Sequence, residues 1–276
     1  MRLGIFAKTF PGSDPHTVLA AVAEAGFAAT QYNMACSGLA PMPDGIDGGT
    51  SDAVRAAAAA NGVEIVALSG TFNMIHPDPA VREAGLRSLG EVTKAASRMG
   101  APLVTLCTGT RDSVDQWRGH PDNARPEAWR DLLAGMARAL DLAEAAGVDL
   151  GVEPELANVI DSAAAARRLI DEMASPRIKI VFDAANLFEI ADGDERRRII
   201  SRGIGLLADR IALAHAKDRN ADGSFATAGK GVLDYPHYLA ELRRNGFDGP
   251  VITHGLRAEE ASGVGVFLRA AMAAAL

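Results

Sequence analysis

The sequence predicts a single (β/α)8 barrel, the TIM-barrel architecture, over residues 1–276. Three observations carry that prediction. Eight short apolar runs alternate with segments of helical periodicity, as strands and their covering helices do in parallel α/β folds. Five helix-like segments close on a glycine shortly before an apolar run, at Gly26, Gly62, Gly100, Gly147 and Gly246. Glycine accepts the left-handed backbone that ends many helices. The 276 residues contain no linker or composition break, and a single closed barrel needs about 250 residues.

The strands are expected at residues 3–7, 28–32, 64–69, 103–107, 149–153, 179–183, 211–215 and 251–254. Each is short and mostly apolar throughout, the pattern of parallel strands covered on both sides. Alanine-rich segments 53–60 and 270–275 are expected as helices, because alanine has the best intrinsic helix propensity. In residues 78–100, Leu86, Leu89, Val92, Ala96 and Met99 recur every three or four positions; in 126–147, Leu133, Met136, Leu140 and Ala143 do the same. Both mark one buried helical face. Pro79 and Pro126 stand near the helix starts, where a missing N–H costs little. Two long strand-to-helix connections, "QYNMACSGLAPMPDGIDGG" and "TGTRDSVDQWRGHPDNARPEAW", are of the length that often forms functional lids.

Charge and cysteine usage narrow the function. The formal net charge is −7 and no basic tract runs for five residues, so no nucleic-acid footprint is expected. Cys36 and Cys107 lie far apart without C-x-x-C spacing, which fits free thiols in a reducing cytoplasm. The N-terminus "MRLGIFAKTF" lacks the pattern of a secretory signal. No apolar run reaches the ~18 residues of a membrane span. A cytoplasmic protein without membrane or nucleic-acid partners is the expectation. "GIFAKTFPGSD" after the first strand has the wrong spacing for a dinucleotide fingerprint.

The strand ends are unusually polar, and barrel chemistry sits at those ends. The fifth strand ends at Glu153, with Glu155 beyond; the sixth at Asp183, with Asn186 beyond; the seventh at His215, with Lys217 and Asp218 beyond; the eighth at His254. The first strand ends at Lys8, and the third runs into Asn73 and His76. Taken singly, such residues also serve as helix caps, ion-pair partners or packed histidines. Four at successive strand ends of one rim call for a compensating cation. Carboxylates mixed with imidazoles suit one divalent ion: Mn, Zn, Fe, Co or Mg.

The segments "LGVEPE", "VFDAAN", "AHAKD" and "GKGVLDYPHYLAELRRNGFDGPVITHGL" resemble the xylose isomerase-like TIM-barrel superfamily, in its sugar phosphate isomerase and epimerase branch. The resemblance covers nearly the whole chain. It implies one divalent metal held at four strand ends by Glu153, Asp183, His215 and the eighth-strand position. That last position is a glutamate in the family and His254 here. Glu259 and Glu260 lie further along as less suited substitutes. The departure removes one of the two glutamates that exchange protons with opposite faces of a substrate. It also changes a centre of net charge −1 into a neutral one.

The chemistry implied is proton transfer next to a carbonyl on a carbohydrate, through an enediolate. Glu153 is ligand and candidate base by resemblance; Glu155, Lys217 and His76 are alternatives. Lys217 either acts on substrate or pairs with Asp218 or Glu155. His76 either meets substrate or packs at the surface, and Asn186 falls where relatives place a substrate-proximal polar group. Trp117 could cover a sugar face, and Arg111 or Arg118 could meet a carboxylate or phosphate; the alternative is a solvated loop with one packed tryptophan. Isomerase or epimerase is the leading reading. A dehydratase or lyase using the same enediolate and a non-catalytic carbohydrate-binding relic are the alternatives. A DNA-repair reading, as in endonuclease IV, is disfavoured by the acidic charge and the six histidines. Relatives often form dimers or tetramers, and a homo-oligomer is left open.

Overall fold

The computed structural model describes residues 1–275. Eight parallel strands close on themselves: β1 (Arg2–Phe6), β2 (Ala29–Tyr32), β3 (Glu64–Ser69), β4 (Leu103–Leu106), β5 (Asp149–Val152), β6 (Ile178–Asp183), β7 (Ile211–Ala216) and β8 (Pro250–Thr253). The seam pairs β8 with β1, from Arg2 opposite Pro250 to Ile5 opposite Thr253. The strands alternate with α1 (Pro15–Glu24), α2 (Gly48–Ala60), α3 (Pro79–Met99), α4 (Pro126–Ala146), α5 (Ala163–Met173), α6 (Gly193–Leu207), α7 (Tyr235–Arg244) and α8 (Ala261–Ala274). The alanine-rich segments are helical as expected. Gly100 and Gly147 end α3 and α4 in the left-handed region, at φ of 81° and 72°.

Strand bounds differ from the expected ones by a residue. Cys107, Glu153 and His254 stand just past the last ladder residue of β4, β5 and β8. Hydrogen bonding ends where the chain leaves for its loop, but the side chains keep the inward direction set by strand alternation.

That alternation builds the interior in layers. Ala29, Ala67, Leu103, Val181, Leu213 and Ile252 form a small apolar cluster inside the barrel. Gly4 and Gly151 complete it, since a Cβ on either would strike Ile252 or Val181. Two residues further along each strand stand Phe6, Gln31, Ser69, Thr105, Glu153, Asp183, His215 and His254. The apolar layer is thus a floor, and the next layer is almost wholly polar. A register shift between Ile180 and Val181 sets Asp183 directly opposite His215. The larger core lies between the barrel and its helices.

Three long loops surround the polar layer: 33–47, 107–125 and 217–234. The third is not one of the two long connections singled out in the sequence. Asp218–Arg219 and Phe225–Ala226 pair as a short antiparallel ribbon, and the buried Asp218 carboxylate ties the loop together. Its Oδ1 accepts from the backbone N–H of Arg219 and Leu233 (2.9 Å each), and its Oδ2 from Gly229 and Gly231 (3.1 Å each). A Cβ at Gly231 would collide with Asp218 and the Arg219 carbonyl, so the knot needs glycine there. No described helix is long and apolar enough to cross a membrane.

Candidate metal centre

Glu153, Asp183, His215 and His254 converge. Each offers one ligand atom, and the four atoms lie within 4.8 Å of one another. His215 Nδ1 is 3.1 Å from Glu153 Oε1 and 3.8 Å from Asp183 Oδ2. His254 Nε2 is 3.2 Å from the same Asp183 oxygen. The two imidazoles lie against each other, ring centres 4.3 Å apart.

The protonation pattern fits a cation. His215 Nε2 faces the amide oxygen of Gln31 at 2.9 Å, so that nitrogen carries the proton. The Gln31 amide nitrogen in turn donates to Ser69 Oγ (3.1 Å) and Thr105 Oγ1 (3.3 Å). In the neutral ring Nδ1 then presents a lone pair to carboxylate oxygens. Acceptors facing acceptors in a buried site are stabilised by a shared cation. Such an outer partner that sets the tautomer is usual around metal-ligating histidine. A four-donor set of two carboxylates and two imidazoles suits a single divalent ion with bonds of about 2.0–2.2 Å.

The electrostatics are those of a tight charged cluster. Burial opposes ionisation of Asp183, but the Lys217 ammonium and the two imidazoles outweigh it and hold the carboxyl far below the usual range. Burial opposes ionisation of Glu153 as well, and positive charge at His215 Nδ1, whether a proton or a bound cation, would outweigh it. Burial and the neighbouring His215 push His254 below its ordinary value, so its ring is neutral near pH 7. Glu155 goes the other way. Burial, then the Glu153 charge, raise it to about 7.

The cluster floors a cleft of about 540 Å³ that also exposes Glu155, Lys217, Asn186 and Trp117. Lys217 pairs with neither Asp218 nor Glu155. Its Nζ lies 3.3 Å from Asp183 Oδ2, donates to Asn186 Oδ1 at 2.7 Å, and sits 3.7 Å from the Phe225 ring centre. Asn186 donates to Glu153 Oε1 at 2.8 Å and so links ligand and ammonium. Trp117 is half exposed at the cleft mouth.

Two expected substrate contacts are placed elsewhere. Arg111 donates to Asp131 (2.6 Å) and to the Ile75 carbonyl (2.9 Å) and does not line the cleft. The guanidinium ties the loop to α4 through the Asp131 carboxylate. His76 lines a neighbouring groove. Its Nδ1 accepts from the Asp78 N–H at 3.1 Å and its Nε2 faces the Ser113 carbonyl at 3.3 Å, so it joins two loops. Arg118 chelates Asp112 (2.6 and 2.9 Å). Glu260 pairs with Lys230, outside the cluster.

Gln31 and Phe225 are the residues that sequence reasoning missed. Gln31 interrupts the apolar run "AATQY", and a polar residue two positions beyond the interior Ala29 was the available signal. Phe225 is an aromatic within the glycine- and alanine-rich "NADGSFATAGKG". Half exposed, it covers both Lys217 and Arg219 at the cleft.

The model of the family described as "Xylose isomerase-like TIM barrel" matches residues 19–269. No curated protein matches the chain. Among solved structures, the chain is similar to 3-keto-D-glucoside 4-epimerase YcjR from E. coli, at 16% identity and TM-score 0.77, covering 98% of this chain and 99% of that one. An L-ribulose 3-epimerase gives 18% and 0.78, covering 99% and 95%. An IOLI protein with a binding zinc atom gives 14% and 0.75, covering 100% and 99%. At these identities the likeness is one of fold.

Proposed function

Because the chain belongs to the xylose isomerase-like TIM barrel family, we propose that it is a divalent-metal-dependent isomerase or epimerase of a carbohydrate. The reaction is a proton transfer at the carbon next to a carbonyl. The observation that carries this reading is the convergence of Glu153, Asp183, His215 and His254 beneath an open cleft. These four residues would hold the ion. When bound, a divalent ion polarises a substrate carbonyl and acidifies the adjacent C–H.

The remaining groups divide the work. Glu155, with its carboxyl raised to about 7, is poised to take and return a proton near neutral pH. Glu153 stands beside it as ligand and second candidate base. The Lys217 ammonium, held by Asp183 and Asn186, faces the cleft where negative charge develops on a substrate oxygen. Phe225 and Trp117 wall the cleft mouth and offer apolar faces to a sugar ring. The activities named for the similar 3-keto-D-glucoside 4-epimerase and L-ribulose 3-epimerase support a sugar substrate.

One feature favours proton movement on a single face. Glu153 and Glu155 come from one strand end, and the eighth-strand position is His254. A ligated imidazole is a poor base, so the second carboxylate of a two-faced exchange is missing. Isomerisation, or elimination through the same enediolate, fits this asymmetry better than epimerisation.

The test is incubation of the metal-loaded protein in D2O with a panel of ketohexoses and aldohexoses. One deuterium entering next to the carbonyl, with all hydroxyls retained, is expected. An ultraviolet-absorbing enone would replace isomerase by lyase. Protein that binds metal yet exchanges no proton in any sugar would support a carbohydrate-binding relic instead.

A further inference from the structure

Gln116 and Trp117 belong to two cavities at once. On one side is the cleft over the metal cluster. On the other is a groove of about 590 Å³ between the β2–α2 loop, the first half of α3 and the β4–α4 loop. Both volumes fall within the ~300–1,000 Å³ of small-molecule sites. A hexose over the cluster leaves the second space unused.

The chemistry of the groove is one-sided. Phe72 and Val81 supply apolar wall, and Asp44, Asp112 and Asp115 supply the only charged side chains that line it besides His76. No lysine or arginine is among the described lining residues. Arg118 neutralises Asp112, with contacts of 2.6 and 2.9 Å, and leaves the other two acids. A phosphate or carboxylate is repelled there, and a neutral apolar group is accommodated. The wall between the cavities is also built. Asp112 Oδ1 accepts from the N–H of Val114 (2.9 Å) and Asp115 (2.8 Å), and Asp115 accepts from the N–H of Trp117 (2.9 Å). This pinned turn holds a half-exposed indole between the two spaces.

We infer that the two cavities form one bipartite substrate site, and that the substrate is a glycoside. Its sugar lies over the metal cluster, and an uncharged apolar or aromatic aglycone reaches past Trp117 into the groove. The inference rests on the proposed sugar chemistry at the cluster and adds the substrate class.

The test uses non-reacting probes and the metal-loaded protein. Calorimetry compares methyl β-D-glucopyranoside, phenyl β-D-glucopyranoside and its para-carboxyphenyl analogue. The phenyl glycoside is expected to bind about tenfold more tightly than the methyl one, the scale of an aromatic contact. The carboxylate should cancel that gain. Ala84→Trp, which fills the groove from α3, should remove the phenyl preference and leave methyl glycoside binding alone. Trp117→Ala provides a second variant with the same expected loss of preference. Equal affinities, a preference that survives Ala84→Trp, tighter binding of the carboxylate, or no binding of any probe would each overturn the inference. Failure of the isomerase reading is separate: it shows as no deuterium exchange in any sugar while the phenyl preference persists.

Discussion

The two halves of the barrel present different chemistry in the same interior layer. Strands β5 to β8 contribute Glu153, Asp183, His215 and His254. Strands β1 to β4 contribute Phe6, Gln31, Ser69 and Thr105, none of which is charged. Both halves place these residues at the same level of the barrel, two positions beyond the apolar floor. The charged half concentrates the candidate ligands and Lys217. The neutral half orients them, through Gln31 on His215, and carries the Trp117 loop. On the proposed reading, reaction centres on the charged half, and recognition draws on both through Trp117 and Phe225.

Substitutions in each half test that division. The largest effect is expected at Asp183, fully buried and shared by Lys217 and both histidines. Asp183→Ala should remove stoichiometric metal, measured by elemental analysis, and lower deuterium exchange by at least about 10³-fold. Metal retained in this variant would break the assignment of the charged half.

Glu155→Gln should keep the metal and lower the exchange rate by about 10²–10⁴-fold. It also carries a pH signature in metal-stripped protein. The folded-state pKa is raised from 4.5 to about 7, so the folded state holds the proton more tightly than the unfolded chain. This contribution is complete below about pH 4.5 and is lost as the pH rises towards 7. Thermal melts between these values should decline less steeply in Glu155→Gln than in the parent. An identical slope would place the proton elsewhere.

From the neutral half, Gln31→Leu should weaken metal binding by about 10–100-fold while the circular dichroism stays native. Gln31→Glu, which keeps the acceptor, should recover part of the affinity. Unchanged affinity in both would make the two halves independent. The smallest effect concerns the thiols. Cys36 and Cys107 are buried, and burial pushes Cys36 up to about 11 and Cys107 higher still. Neither should react with a thiol reagent at pH 8 until denaturant is added; rapid native labelling would contradict their place in the core.

What was legible follows from how local each signal is. Glu153, Asp183, His215 and His254 each close an apolar run, and strand alternation with a common rim brings them together. Gly100 and Gly147 were legible because a helix end is a local event. Gln31 was not, because one amide in a four-residue strand looks the same whether it faces in or out. Arg111 sat in a promising loop, but its partner Asp131 belongs to α4, and no periodicity predicts the course of a loop across a helix. Phe225 meets Lys217 only because the Asp218 knot folds the loop back. Such returns depend on one buried carboxylate finding four backbone donors.

The seam between β1 and β8 has a consequence for the order of events in synthesis. His254 comes from the last strand, which docks between β1 and β7. A growing chain that has reached β7 already holds Glu153, Asp183 and His215, but not the fourth donor. The cluster is therefore completed only when β8 docks between β7 and β1, and a bound ion would favour that closure.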